Sequence, residues 1–340
     1  MLDDTPATTP NTTRSRSPTA TTVKACWTTL ITKPQYLQGL VVLQSCLQAV
    51  QSRYPLVVMV TPTLDKQSRE VIAGRGMEMV EVESLRPVDE GANGGGGVFE
   101  RFGDTWTKLR AFELVQWERV VLLDCDMVVL QNMDELMTLP LPSTEWIAAA
   151  HACTCNPRKI PTYPEDWVPE NCAYTPLTHP TALSSPTPAA NISPLLPTPS
   201  GTLPSRGHAL LNSGLVILHP SHLTCRTIEN YIQSDPEVPS FKFPDQDALA
   251  VLFQGKWKSL GWCYNALKTL RKVHPGVWRD DEIRCLHYIL DKPWEHLRSD
   301  PSADATGTHE WWWEKYEDVL AEMKRVEGSG WEVVDRWVKR

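Results

Sequence analysis

Residues 119–130 read RVVLLDCDMVVL, an apolar run interrupted by two carboxylates that stand one residue apart. The apolar part predicts a buried strand that ends at Asp124. Alternation along an extended chain puts Asp124 and Asp126 on the same side, with backbones about 6.5 to 7 Å apart. Open α/β sheets bind their ligands beyond the carboxyl ends of their strands, where two unpaired carboxylates would be unfavourable. The stretch therefore predicts a site for a divalent cation.

The residues before this stretch alternate between strand and helix patterns. Strands are predicted at 25–31, 56–60 and 78–82, and helices at 38–50, 66–73 and 105–117. The helix at 38–50 is expected to be amphipathic. Because strands separated by helices form a mostly parallel sheet with helices on its faces, the predicted fold class is α/β, with a single Rossmann-like domain.

Three segments after the stretch place polar side chains beside apolar patterns. They are Asn212-Ser213-Gly214 at the start of a strand, Asp245-Gln246 at the start of a helix, and His287 followed by Lys292-Pro293-Trp294. Each also has a purely structural explanation: a tight turn, a helix cap by Asp245, and an ordinary core histidine. The pattern of each segment alone leaves both explanations open.

Composition and residue spacing distinguish four further segments of the chain. Residues 1–22 and 175–205 are rich in Pro, Ser and Thr, which predicts a disordered tail and a surface insertion. The glycine-rich segment 90–97 predicts a connecting loop. Residues 310–325 have helical spacing and predict a helix docked on the core, with a carbohydrate-stacking surface as the alternative. We therefore expect a tail at 1–22, a domain at 23–300 and a helical C-terminal extension at 301–340.

The bulk properties exclude several classes of protein. The 340 residues carry a net charge of -8, which disfavours nucleic acid as a partner. No apolar run is long enough to span a bilayer, and the N-terminal residues lack the apolar segment of a secretory signal. The sequence therefore predicts a cytoplasmic protein without a membrane span.

Nine cysteines show no disulfide-like spacing. Three of them, Cys153, Cys155 and Cys172, lie near His151 and suggest a zinc site. A zinc site would need a convincing fourth ligand and closer pair spacing. Ordinary thiols are therefore expected.

Taken in order along the chain, these segments resemble glycosyltransferase family eight, the retaining enzymes that include glycogenin, bacterial lipopolysaccharide galactosyltransferases and the galactinol synthases. The resemblance covers residues 24–294. The segments that carry it are Leu30-Ile31-Thr32 with Tyr36, Thr107-Lys108-Leu109, Asp124-Cys125-Asp126, Asn212-Ser213-Gly214, Asp245-Gln246, and His287 with Lys292-Pro293-Trp294.

The resemblance implies a GT-A type fold and transfer of a hexose from a UDP-sugar. It implies a divalent ion, Mn²⁺ or Mg²⁺, bound by Asp124, Asp126 and His287. The remaining implied roles are uridine binding by Leu30, Thr32 and Tyr36, donor binding by Cys125, sugar contacts by Asn212, Ser213 and Gly214, diphosphate binding by Lys292, and catalysis by Asp245, Gln246 and Lys108. Retention of the anomeric configuration is likewise implied by the family.

The chain departs from the family pattern at two places. Family members usually have a glycine between the histidine and the lysine, whereas this chain has Ile289-Leu290-Asp291 and a shorter spacing. The stretch 267–286 contains no tyrosine, so self-glucosylation as in glycogenin is not expected. We expect a separate sugar, polyol or glycan as acceptor, and a homodimer is compatible with the sequence.

Two other functions remain as alternatives. A protein that binds a sugar nucleotide as a scaffold would keep the fold without transferring the sugar. A nucleotidyltransferase would share the sheet and the carboxylates, but it normally has a glycine-rich triphosphate loop after the first strand, and residues 30–38 offer none.

Overall fold

Two β-sheets form the centre of the computed structural model, which describes residues 23–88, 104–179, 210–300, 302 and 304–340. The predicted tail at 1–22, the glycine-rich segment at 90–97 and most of the predicted insertion lie outside the described residues. The strands are β1 (Ala25–Ile31), β2 (Leu56–Val60), β3 (Glu78–Glu81), β4 (Arg119–Leu123), β5 (Met127–Val129), β6 (Ile147–His151), β7 (Leu211–Leu218), β8 (Trp257–Ser259), β9 (Ala266–Leu267) and β10 (Cys285–His287).

The larger sheet has the strand order β3-β2-β1-β4-β7-β6-β8. Strands β3, β2, β1 and β4 are parallel, β7 is antiparallel to both of its neighbours, and β8 is parallel to β6. The strand order reverses between β1 and β4, so the carboxyl ends of these two strands meet at a topological switch point. The prediction of a mostly parallel α/β sheet is confirmed.

Helices cover both faces of this sheet. They are α1 (Leu37–Ala49), α2 (Lys66–Gly74), α3 (His222–Ser234), α4 (Pro244–Leu252), α5 (Leu270–Val273), α6 (His309–Lys324) and α7 (Trp331–Asp335). In the described parts of the chain, no helix combines the length and the apolar character needed to cross a bilayer.

The segment predicted as a helix at 105–117 differs from the prediction. It is a 3₁₀ helix at Thr105–Glu113. Contacts with the residues after β3 hold it, because the backbone N–H of Leu85 donates to the Thr107 hydroxyl and the Arg110 guanidinium donates to the Glu83 carbonyl. These tertiary contacts outweigh the local preference for an α-helix.

Helix α1 is not amphipathic, which corrects a second prediction. All residues from Leu37 to Gln44 are buried, because the sheet covers one side of α1 and helices α6 and α7 cover the other. In α6 the rings of Trp312 and Tyr316 stack 4.7 Å apart, and both side chains are buried. Helix α6 therefore docks on the core, as predicted for 310–325, and these two rings are not a carbohydrate-stacking surface.

Acid should destabilise the protein through His309, at the start of α6. Its Nε2 lies 2.9 Å from Lys268 Nζ, and both side chains are buried. Burial, and next the charge of Lys268, lowers the pKa of His309 from 6.5 to about 4. Between these two values the unfolded chain binds a proton that the folded chain does not, so stability is lost as the pH falls from about 6.5 to about 4. We expect the free energy of unfolding to fall by about 2 kcal/mol from this group.

The variant His309→Gln keeps an acceptor for Lys268 but does not titrate. Urea unfolding at about pH 7 and about pH 4.5 should show a smaller acid-induced loss in the variant than in the native chain. The neighbouring groups Asp291, His296 and Asp304 are the same in both proteins, so they cancel in the comparison. Equal losses in the two proteins would contradict the prediction.

Candidate active site

The acid pair, Asp124 and Asp126, lies just beyond β4. Backbone hydrogen bonds hold it on both sides. The Asp124 N–H donates to the Gly214 carbonyl at 2.9 Å, and the Asp126 carbonyl accepts from the Tyr288 N–H at 2.9 Å. Strand β5 begins directly after Asp126 and pairs with β10 in the small sheet β5-β10-β9. In this register His287 is opposite Met127, so the fold brings the imidazole to the acid pair.

The three predicted metal ligands converge. His287 Nε2 is 3.3 Å from Asp126 Oδ1 and 3.7 Å from Asp124 Oδ2. One ligand atom from each of the three residues lies within 4.8 Å of the others. Two carboxylate oxygens and an imidazole nitrogen form a donor set suited to Mn²⁺ and similar divalent ions. The residues present therefore fit a divalent metal.

A chain of side-chain amides fixes the tautomer of His287. Its Nδ1 lies 2.9 Å from Asn265 Oδ1, and Asn265 Nδ2 donates to Asn212 Oδ1 at 2.7 Å. Since an amide oxygen only accepts, Nδ1 carries a proton, and Nε2 is the ring nitrogen that faces the acid pair. The chain continues as Asn212 Nδ2 donates to Gln246 Oε1 at 3.2 Å. Asn265 thus orients a candidate metal ligand.

Two buried lysines neutralise most of the negative charge. Lys108 Nζ lies 2.9 Å from Asp124 and 2.7 Å from Asp245, and Lys292 Nζ is paired with Asp126. Three carboxylates against two ammonium groups leave one excess negative charge when the imidazole is neutral. The site is therefore ready for an added cation.

The lysines also control the protonation of the site. Burial alone would raise the pKa of Asp126, but Lys292 and then His287 hold it well below its usual range. Burial would lower the pKa of Lys108, yet the charges of Asp124 and Asp245 raise it above its usual range. Asp126 is thus ionised and Lys108 charged at neutral pH.

The acid pair opens into a cleft of about 480 Å³. Of the predicted site residues, the following line it: Leu30, Thr32, Tyr36, Lys108, Asp124, Cys125, Asp126, Asn212, Ser213, Asp245, Gln246, His287 and Lys292. Gly214 is not among the lining residues; it lies behind them, against the imidazole of His287. The structure thus brings every predicted site residue to one place, and their individual roles stay predictions.

Residues after β1 form the wall next to the acid pair. Burial raises the pKa of the Cys125 thiol to about 12, and this neutral thiol donates to the Leu30 carbonyl at 3.2 Å. Thr32 donates to Asp104 at 3.1 Å. The ring of Tyr36 meets Trp294 edge to face at 6.2 Å. The loop that follows β1 is thereby fixed to both the acid pair and the Lys-Pro-Trp segment.

The first turn of α4 supplies Asp245 and Gln246, and both are buried. Asp245 does not cap the helix, which was its structural alternative, because no side chain caps this N-terminus. The Asp247 carboxylate instead accepts from the N–H groups of Lys242 and Phe243, just before the helix, each at 3.0 Å. Asp245 is thereby left to pair with Lys108 at the cleft.

An aromatic wall, defined as Tyr163, Trp167 and Phe243, faces the cleft and was not predicted from the sequence. The rings of Trp167 and Phe243 stack 4.8 Å apart at 7°, and Tyr163 meets both rings edge-on. Asn265 was also missed. Neither the aromatic residues nor Asn265 belongs to a recognisable local motif, and they approach the acid pair only through the fold.

Leu290 lies between His287 and Lys292, where the family usually has a glycine, and its φ is 66°. This left-handed backbone costs a residue with a Cβ about 1–2 kcal/mol. Glycine normally destabilises relative to alanine, but the order should reverse here. We expect Leu290→Gly to be about 1 kcal/mol more stable than Leu290→Ala in urea unfolding. If the alanine variant were the more stable of the two, this backbone geometry would be wrong.

Comparison with known proteins agrees with this geometry. Residues 28–298, well over half of the chain, match the sequence profile of Glycosyl transferase family 8. The chain is 25% identical over 298 residues to galactinol synthase 7 of Arabidopsis thaliana, which covers 85% of this chain and 80% of the relative. It is also 25% identical over 296 residues to galactinol synthase 1 of Ajuga reptans, with coverage of 85% and 80%.

Solved structures share the fold at low identity. The glycosyltransferase GlyE in Streptococcus pneumoniae TIGR4 has a TM-score of 0.54 at 15% identity over 89% of this chain, which spans 64% of GlyE. The galactosyltransferase LgtC, in complex with donor and acceptor sugar analogues, has a TM-score of 0.50 at 14% identity, covering 86% of this chain and 95% of LgtC. The architecture is therefore the GT-A glycosyltransferase fold, and the chain belongs to glycosyl transferase family 8.

Proposed function

We propose that this chain transfers a hexose from a UDP-sugar to a separate acceptor, with a divalent ion, manganese or magnesium, held by Asp124, Asp126 and His287. The observation that supports it most is the meeting of these three side chains with the His287 tautomer fixed by Asn265. A metal ion bound there would supply positive charge for the diphosphate that departs from the sugar.

The two lysines have different positions and we assign them different tasks. Lys292 bonds Asp126 and the Tyr288 carbonyl, and its ammonium lines the cleft beside the acid pair. There it would bind the leaving diphosphate, where negative charge develops. Lys108 bridges Asp124 and Asp245, so it would hold Asp245 in place against the donor sugar.

Gln246 is the group proposed to face the reacting sugar. Its side chain is buried, its oxygen accepts from Asn212, and its Nε2 has no hydrogen-bond partner among the described residues. A buried polar atom without a partner is unfavourable unless a ligand supplies one. We therefore expect a donor hydroxyl to bond Gln246, and the sugar to react with retention of configuration, as the family implies.

The aromatic wall supports a carbohydrate or polyol acceptor. Sugars and cyclic polyols present apolar faces that pack on aromatic rings. The two relatives described above are named galactinol synthases, and their acceptor class is the first choice to test for this chain. Substrates of this kind suit the cleft because its lining includes both the aromatic wall and the acid pair.

We also propose that two parts of the chain have different roles. Residues 23–300 would bind and transfer the sugar, because every described residue that lines the cleft belongs to them. Residues 301–340 would act as a stabilising extension, since α6 and α7 pack on α1.

A panel of nucleotide sugars tests the proposed function. We expect hydrolysis of one UDP-hexose with added Mn²⁺ and its loss in EDTA, together with transfer when a polyol or sugar acceptor is added. UDP-glucose, UDP-galactose and UDP-N-acetylglucosamine are compared with each other. GDP-mannose is the control for recognition of the uracil base. Donor binding without turnover would support a scaffold instead, and formation of a UDP-sugar from UTP and a sugar phosphate would support a nucleotidyltransferase.

A further inference from the structure

A second group of metal-ligand side chains lies beside the cleft, and one of its members, Cys153, also lines the cleft. The Cys153, Cys155 and Cys172 thiols meet the imidazole of His274, and one ligand atom from each lies within 4.8 Å of all the others. His151, the sequence neighbour considered above, packs its ring on Trp257 at 4.9 Å instead. The fourth side chain is thus His274, which directly follows α5 and lies more than a hundred positions after Cys172.

The spacing of these atoms matches a tetrahedral zinc site. With Zn–S near 2.3 Å and Zn–N near 2.0–2.1 Å, tetrahedral angles require S···N edges of about 3.6 Å and S···S edges of about 3.8 Å. His274 Nε2 lies 3.1 Å from Cys155 Sγ and 3.4 Å from Cys172 Sγ. Cys172 Sγ lies 3.9 Å from Cys153 Sγ. These three distances lie within about 0.5 Å of the tetrahedral values.

Two ordinary explanations fit less well. A disulfide needs its sulfurs about 2.05 Å apart, and all three thiols are free. Simple core packing explains a single buried thiol, as at Cys46 or Cys285, which are surrounded by apolar residues. It does not explain three sulfurs converging on one imidazole nitrogen.

We propose that Cys153, Cys155, Cys172 and His274 bind a structural Zn²⁺ ion. Four protein ligands would close its coordination shell, which is typical of structural rather than catalytic zinc. A separate cavity of about 510 Å³, lined by Cys155 and His274, reaches the cluster from the surface and gives the ion an entry path.

The zinc ion would hold the segment 152–179, which follows β6, in place. Within this segment the structure describes a single 3₁₀ turn, Pro169–Asn171, and no α-helix or strand. Tyr163 and Trp167 of the aromatic wall belong to it, between Cys155 and Cys172. Zinc would therefore shape the aromatic wall of the cleft. The zinc proposal does not depend on the proposed sugar transfer.

Metal analysis of the purified full-length chain, grown with added zinc and dialysed briefly against EDTA, tests the proposal. We expect about one zinc per chain in the native protein and in Asp126→Asn, because the active-site metal is a different one. Cys155→Ser and His274→Gln should each fall below about one fifth of that value. Cys46→Ala is the matched control, since it removes a buried thiol outside the cluster and should keep its zinc.

Cobalt substitution of the native protein gives a test that needs no variant. Replacing zinc with Co²⁺ should produce the thiolate-to-cobalt charge-transfer band and the strong visible bands of tetrahedral sulfur ligation. Absence of zinc and of these bands from folded native protein would overturn the proposal. So would a Cys153–Cys172 disulfide in peptides mapped without reduction, or unchanged zinc in both cluster variants.

Discussion

Replacing Asp126 with asparagine is expected to lower kcat/KM for sugar transfer by at least about 1,000-fold. The side chain keeps its shape but loses the charge that faces His287 at 3.3 Å and pairs with Lys292. An amide oxygen is a weaker ligand than a carboxylate for a divalent cation. Donor hydrolysis and the Mn²⁺ concentration for half-maximal activity measure the effect.

The matched control for this variant is Asp134→Asn. Asp126 and Asp134 are each 6% exposed, so both variants remove a buried carboxylate. Asp134 accepts hydrogen bonds from Ser52 and from the backbone of Arg53, outside the cleft. We expect both variants to lose stability in urea, and only Asp126→Asn to lose activity. If Asp126→Asn were folded and within tenfold of native activity, Asp126 would not be a metal ligand.

The parts of the site that the sequence predicted are those encoded within a few residues. The apolar strand before Asp124 and the one-residue spacing to Asp126 predicted two neighbouring carboxylates just beyond the strand end, and the structure confirms this. The reason differs from the prediction, because the strand ends at Leu123 and a turn at Cys125 and Asp126 replaces the expected extended chain. The strand boundaries at β1 and β2 likewise follow from short apolar runs, and the structure confirms them. The local pattern is sufficient here because each of these strands is a short run of mostly apolar residues.

Other parts depend on contacts between distant residues, which one sequence does not reveal. Helix α1 is buried on both sides because α6, more than 250 residues later, covers its outer face. Asn265 reaches His287 through the pairing of β9 with β10, and His274, directly after α5, meets the three thiols only in the folded chain. His287 was assigned from a family resemblance rather than from its neighbours, since its own segment fits a core histidine equally well.

Replacing Gly214 with alanine should have the second-largest effect, although it removes no functional group. A Cβ at Gly214 would lie 2.3 Å from Cε1 and 2.6 Å from Nδ1 of His287, and 3.0 Å from Asn212 Oδ1. Ordinary contact begins near 3.4 Å, so the imidazole must move by about 1 Å. That shift would break the Nδ1 bond to Asn265 and turn Nε2 away from the acid pair. We expect transfer to fall about 100-fold or more, with weaker Mn²⁺ binding.

Gly74→Ala is the control for the added methyl group, because nothing lies within 4 Å of its Cβ position. A double-mutant cycle with His287→Ala then separates a steric effect on the imidazole from general damage to β7. Once the ring is absent, the methyl group at residue 214 has no ring to displace, so the second substitution should cost little further activity. If Gly214→Ala were equally harmful with and without the imidazole, its effect would arise in the strand. In that case Gly214 would not be needed to keep His287 in position.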